Sequence, residues 1–219
     1  MDDETDLHAA QGSIAPDLRA EFPALRLSWL TVPARLRPSP PEIGQRLRGL
    51  SSRYRGESVV AMRTEPIPHA FRAFFRQIGL DPDVDRIPSE AVAVERLLRG
   101  GFRSRNLVDD ACLIALIETG VPVWALDADL VDAGGLGLRT TLEGDRLGSG
   151  PDAVPLAGGR LAVADAQRIH ALLFEEVAPG HGVSRASERA TLFAIGVQNV
   201  PRIHVEEALW IAVEVLRAG

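Results

Sequence analysis

Residues 106–127, NLVDDACLIALIETGVPVWALD, hold the turning point of this chain. After Asp110 the run is apolar around a whole helical turn, so a helix over 106–119 has little polar face for water and must be buried on most sides. Gly120 stops it. Residues 123–126 then read as a strand, and the texture changes to short apolar runs at 136–140, 154–156 and 161–164, separated by glycine, proline and aspartate. Residues 168–177 and 191–197 are ambiguous in period, and the glycine and serine between them favour a strand pair. A closing amphipathic helix spans 205–216, with Ala208, Leu209, Ala212 and Leu216 on one stripe.

Upstream the pattern is mostly helical. One strand over 25–32 is followed by Pro33, Pro38, Pro40 and Pro41, which break the chain before a helix at 42–50 carrying Ile43, Leu47 and Leu50. A second helix over 68–78 presents Phe71, Phe74, Phe75 and Ile78 and stops at Gly79. A third opens after Pro88 with Ser89 as its N-cap and runs through Ala91, Val94 and Leu97 to Gly100-Gly101. Residues 1–11 are acidic, lack a period and read as a frayed tail, while 145–152 read as a long loop. Helices first and strands second predict an α+β fold, a mixed or antiparallel sheet with flanking helices.

Composition bounds the function classes. With 219 residues and 46% hydrophobic content the chain can bury a core without disulfides or metal. A single cysteine, Cys112, and acids rather than bases near the N-terminus predict a cytoplasmic protein, and the longest apolar runs are too short to span a membrane. Every base is arginine, whose fork of donors suits phosphate. Residues 1–105 hold 16 arginines against 14 acids and 106–219 hold 8 against 16, so the first part carries +2 and the second −8 of the net −6. Arg35, Arg37, Arg46, Arg48, Arg53 and Arg55 form an RNA-binding patch if they share one face.

The common chemical motifs are missing: there is no Walker loop, HExxH, paired CxxC or GxSxG. Five histidines, at 8, 69, 170, 181 and 204, lack the spacing of a zinc pair, and no metal or cofactor is expected. The run Gly134-Gly135-Leu136-Gly137 reads as a turn rather than a phosphate loop. Asp127 and Asp129 read as turn caps rather than an acid/base pair. Cys112 lies in the apolar helix and is not expected to be a nucleophile.

Four short segments in order add a resemblance. Residues 85–91 (DRIPSEA), 103–109 (RSRNLVD) and 120–127 (GVPVWALD), then Leu138-Arg139 with Glu143-Gly144, are similar to the B3/B4 domain. This is the editing module of the bacterial phenylalanyl-tRNA synthetase beta subunit, also found as free-standing proteins. The likeness covers roughly residues 62–197. It implies a B3/B4-like domain over 62–219 and an N-terminal extension over 1–61 packed on it, with residues 1–12 flexible.

The resemblance further implies a trans-acting hydrolase that removes a wrong amino acid from the tRNA 3′ end with a positioned water, with tRNA as partner and neither membrane nor DNA involved. Arg103 and Asn106 keep the first motif, and Arg103 either holds the terminal phosphate or ribose or lies on a solvated helix end. Trp124 stands where the family pattern has a histidine, and it either floors a side-chain pocket, stacks on the terminal adenine or is core. Gln167 replaces an acid. Ser187 keeps a hydroxyl at a threonine position, able to orient water. His170 and His181 lie in the same stretch and either supply a base, with His181 also near the substrate, or are structural. Two alternatives stand beside the deacylase: an RNA-binding module without chemistry, and a binder or hydrolase of a small amino-acid derivative.

Overall fold

The computed structural model describes residues 8–54, 56–132 and 134–219. The chain opens with β1 (Ala10–Gln11), β2 (Ser13–Ile14), α1 (Pro16–Glu21) and β3 (Arg26–Pro33). Five helices follow: α2 (Pro41–Arg53), α3 (Gly56–Ala61), α4 (Pro66–Gln77), α5 (Pro88–Arg99) and α6 (Leu107–Thr119). The strand-rich half holds β4 (Val123–Asp127), β5 (Gly137–Thr140), β6 (Arg146–Leu147), β7 (Val154–Pro155), β8 (Leu161–Ala164), β9 (Ile169–Leu172) and β10 (Arg189–Gly196) before the closing α7 (Arg202–Ala218). The class is α+β with flanking helices, but the strands divide into two sheets rather than one.

The first sheet runs β1-β3-β10-β4 and is antiparallel throughout. Its spine is β3 against β10, eight residues each, paired from Arg26↔Gly196 to Pro33↔Arg189. Every residue of β10 after Arg189 is buried, which requires cover on both faces. One face receives α7, which also packs along α6. On the other, Trp29, Phe193 and Trp124 stand in register across three strands. Trp124 stacks on Phe193 with ring centres 5.3 Å apart, and Phe174 meets Phe71, Phe74 and Phe75 of α4. One core cluster joins Leu27, Leu30 and Val32 of β3 to residues of α4, α6, β10 and α7, so the N-terminal segment supplies an inner strand of the common sheet.

The second sheet runs β2-β5-β8-β9-β6-β7 and is mixed: β2 with β5 and β6 with β9 are parallel, and the rest are antiparallel. The expected pairing of 168–177 with 191–197 does not occur. The tight turn over 165–168 returns β9 to its sequence neighbour β8, which leaves β10 to fill the space between β3 and β4. The expected flexible tail also ends early. Ala10 and Gln11 pair with Trp29 and Ser28, the Gly12 N–H donates to the Leu27 carbonyl, and residues 1–7 lie outside the described ones. Within 145–152, β6 occupies part of the expected loop.

Ser89 is not a cap. Pro88 takes the first helical position and Ile87 the cap, so the Ser89 hydroxyl is buried inside α5 without a described partner. The glycine run 134–137 is a turn, as its composition suggests. Gly134 N–H donates to Asp132 Oδ1 and Gly135 N–H to the Asp132 carbonyl. Gly135 has φ 79°, and a Cβ there would collide with the Trp29 ring, so backbone conformation and packing both demand glycine.

Candidate functional site

The turn between β8 and β9 is organised by one carboxylate. Asp165 Oδ1 accepts the N–H of Gln167 at 2.7 Å and of Arg168 at 2.8 Å, while Oδ2 accepts the N–H of Asp132 at 2.9 Å. Oδ2 also faces His170 Nε2 at 2.8 Å. Burial alone pushes this carboxyl's pKa up. The Asp132 N–H, His170 and the two turn N–H groups outweigh it, and the net position lies below the usual carboxylate range.

His170 sits fully buried in β9. The segment after β9 folds back over it: the Ala178 N–H donates to the His170 carbonyl, the His181 N–H donates to the Ala178 carbonyl, and the Asp127 N–H donates to the His181 carbonyl. This brings the two imidazoles together, with Nδ1 to Nδ1 at 3.0 Å. His181 Nε2 then lies 3.0 Å from the hydroxyl of Ser149, in the turn after β6. The side chains of Asp165 and His170 and the whole of His181 are buried, whereas Ser149 is exposed.

The direction of this line follows from its inner end. An ionised Asp165 only accepts, so His170 carries a proton on Nε2, and as a neutral imidazole it offers a lone pair at Nδ1. His181 must then donate from Nδ1, which leaves Nε2 to accept the Ser149 O–H. In this arrangement each imidazole carries one proton. Burial, then the neighbouring His170 and Arg168, lowers the pKa of His181, and Asp165 opposes the shift. The arrangement is a base held at the surface end of a buried, carboxylate-directed relay. Its members lie in a line rather than around a common point, and no cluster of three or more metal-ligating side chains occurs among the described residues.

Of the expected site residues, the fold brings His170, His181 and Gln167 to this turn. Gln167 serves the turn itself, its backbone donating to Asp165 and its side-chain amide to Asp132 Oδ2 at 3.0 Å. Ser187 is close along the chain but committed: its hydroxyl donates to Asp127 Oδ2 at 2.6 Å and accepts the Ser184 N–H at 2.9 Å. Asp127 also accepts the Asp129 N–H, the turn role its sequence suggested. Trp124 belongs to the aromatic packing between β4, β10 and Phe174. Burial pushes the Cys112 thiol up to about 12, with Asp109 adding to the rise, which disfavours the thiolate at neutral pH.

Arg103 and Asn106 lie elsewhere, at the start of α6. Arg103 is exposed and lines a small cleft with Arg96, Arg99 and Arg105. Asn106 is the N-cap, accepting the Asp109 N–H at 2.9 Å and donating to the Asp109 carboxylate. Asn106→Ala is expected to lower stability by about 1 kcal/mol in a urea titration while leaving any RNA affinity unchanged. A loss of affinity at equal stability would return Asn106 to the binding site.

The six arginines do not share one face. Arg46 and Arg48 point about 200° apart around α2, and Arg46 is held by Glu118 and Glu214. Arg53 lies in the last turn of α2, and Arg55 lies outside the described residues. Arg35 and Arg37 do join a basic surface, a groove of about 780 Å³ with Arg189 and Arg217 on its walls and Val32, Leu107, Val213 and Leu216 among its lining. Glu188 pairs with Arg35 at 3.1 Å, and Asp129 pairs with Arg189 at 3.1 Å. The groove begins one residue beyond Ser187.

Sequence reasoning missed Ser149 and Asp165. The available signals were a serine between two glycines and an aspartate five residues before a histidine on a buried strand; neither is a recognised motif. No protein-family model and no curated protein matches the chain.

Proposed function

We propose that this chain is a hydrolase of aminoacyl esters, and that its substrate is a mischarged aminoacyl-tRNA, as its resemblance to the B3/B4 editing domain suggests. The observation that supports hydrolysis is the relay from Asp165 through His170 and His181 to the Ser149 hydroxyl. An aminoacyl ester is an activated bond, so a positioned oxygen and one neutral base to take its proton supply most of what its cleavage needs. The arginine groove near Ser187 gives a phosphodiester strand a surface to follow.

The test is release of free amino acid from a panel of mischarged tRNAs, non-protein amino acids included, with catalytic amounts of protein. Turnover of one ester while its correctly charged counterpart stays intact is the expected result. His181 accepts the proton only when neutral, and its pKa is lowered from the ordinary imidazole value of about 6.5. The rate is therefore expected to be flat through neutral pH and to fall only below about pH 6.5. The folded form protonates at lower pH than the unfolded one, so the stability that the neutral form contributes is complete above about 6.5 and is lost as pH falls from there through the lower folded value. An acid limb centred above pH 7 would remove His181 as the base.

A second reading, an RNA-binding module without chemistry, is favoured by the structural engagement of Trp124 and Ser187. It expects tRNA binding that weakens steeply with salt and no release from any ester.

A further inference from the structure

We infer that Ser149 is the attacking nucleophile and that the reaction passes through an acyl-serine, rather than a water attacking the ester directly. The inference deepens the hydrolase reading above, on which its substrate class, a carboxylic ester of an amino acid, rests. Three features of the turn point the same way. Ser149 Oγ is the exposed terminus of the relay, and the direction set by Asp165 makes it a donor to His181 Nε2 at 3.0 Å. Gly148 and Gly150 hold left-handed backbone, φ 83° and 71°, on either side. A Cβ on Gly148 would stand 3.2 Å from Ala178 Cβ, so the missing side chain lets the turn pack closely on the segment that carries His181. The N–H groups of Ser149 and Gly150 donate to no described acceptor, which leaves two backbone donors beside the hydroxyl for a developing oxyanion. Ser184 and Ser187, by contrast, bond to each other, and Ser187 to Asp127.

The step balances within the chain. Ser149 Oγ forms the bond to the ester carbonyl carbon, and its proton passes to His181 Nε2. The Nδ1 proton of His181 can move to His170 Nδ1, which places the positive charge beside the Asp165 carboxylate. Collapse of the tetrahedral adduct breaks the bond to the ribose oxygen, which takes the proton back through His181. A water then attacks the acyl-serine by the same route, releasing the free amino acid and restoring the Ser149 hydroxyl.

Intact-mass measurement of the full chain tests this with two probes: an alkyl fluorophosphonate, and p-nitrophenyl esters of amino acids mixed for short times. The expected result is a single covalent adduct mapping to Ser149, with a burst of p-nitrophenolate stoichiometric with protein. Both should be lost in Ser149→Ala, with hydrolysis falling by about 10³-fold or more. Ser149 is exposed, so the variant should keep the wild-type melting profile, which is checked alongside. No adduct from either reagent, or hydrolysis unchanged in Ser149→Ala, overturns the inference. The two readings fail separately: tRNA deacylation that survives Ser149→Ala keeps the hydrolase and removes the nucleophile. An adduct and burst without turnover of any aminoacyl-tRNA keeps the nucleophile and removes the tRNA substrate.

Discussion

Replacing Asp165 by Asn is expected to reverse every hydrogen bond between the interior and Ser149, and to lower ester hydrolysis on the order of 10⁴-fold with the fold retained. The outcome depends on where the amide NH₂ sits. If it occupies the Oδ1 position it faces two N–H groups, of Gln167 and Arg168, and neither can adapt. At the Oδ2 position it faces one fixed N–H, of Asp132, and His170, which can change tautomer. The second placement leaves fewer donors unmet and is the one expected. His170 must then accept at Nε2 and carry its proton on Nδ1, so His181 accepts at Nδ1 and carries its proton on Nε2. Ser149 now meets an N–H instead of a lone pair, and no base remains. The unmet Asp132 N–H costs about 1–3 kcal/mol, within what a chain of this size tolerates. Nitrogen-15 spectra of histidine-labelled protein check the tautomers directly: the protonated and bare nitrogens of both rings should exchange identity. Unchanged tautomers with lost activity would locate the effect of Asp165 in charge rather than direction. Unchanged activity would take the relay out of the chemistry.

The parts of the fold that could be read from the sequence are those where one local signal sufficed. The helix over 106–119 is specified by its apolar run between Asn106 and Gly120, and the structure caps it at both residues. The Phe71, Phe74 and Phe75 face of α4 and the stripe of α7 follow from period alone. What failed was long-range: β9 and β10 carry similar apolar runs, and only the tight Asp165 turn and the vacancy between β3 and β4 decide that they join different sheets. β1 and β2, two residues each, have no period to detect. The candidate site was half visible for the same reason. His170 and His181 lie in the stretch that the resemblance marks, but Ser149 reaches them only because β6 pairs with β9 at Leu147↔Ile169. Ser187 and Asn106, chosen by their place in a pattern, proved to spend their polar atoms on Asp127 and on a helix cap.

The largest stability effect is expected far from this site, at Glu90. Arg72 of α4 is 5% exposed and Glu90, in the first turn of α5, 2%. Arg72 Nη1 lies 2.9 Å from both Glu90 oxygens and reaches the Pro82 carbonyl, and its Nη2 donates to Asp83 at 2.7 Å. One guanidinium thus ties the α4–α5 connection to both helices. Removing Glu90 strands a buried cation on its inner side, whereas Arg63 is half-exposed, pairs with Asp83 at 3.1 Å and reaches Glu90 only at 4.0 Å, and such solvated pairs contribute little. Glu90→Ala is expected to cost about 3 kcal/mol, the low end for breaking a buried pair because Arg72 keeps Asp83 and Pro82. Arg63→Ala should cost under about 1 kcal/mol. Urea midpoints at unchanged slope measure both. Combining Arg72→Met with Glu90→Leu should recover most of the loss, since apolar atoms of similar volume remove the desolvation cost together with the attraction. If the double variant were as unstable as Glu90→Ala alone, the pair's value would lie in fixing the connection rather than in cancelling its own buried charge.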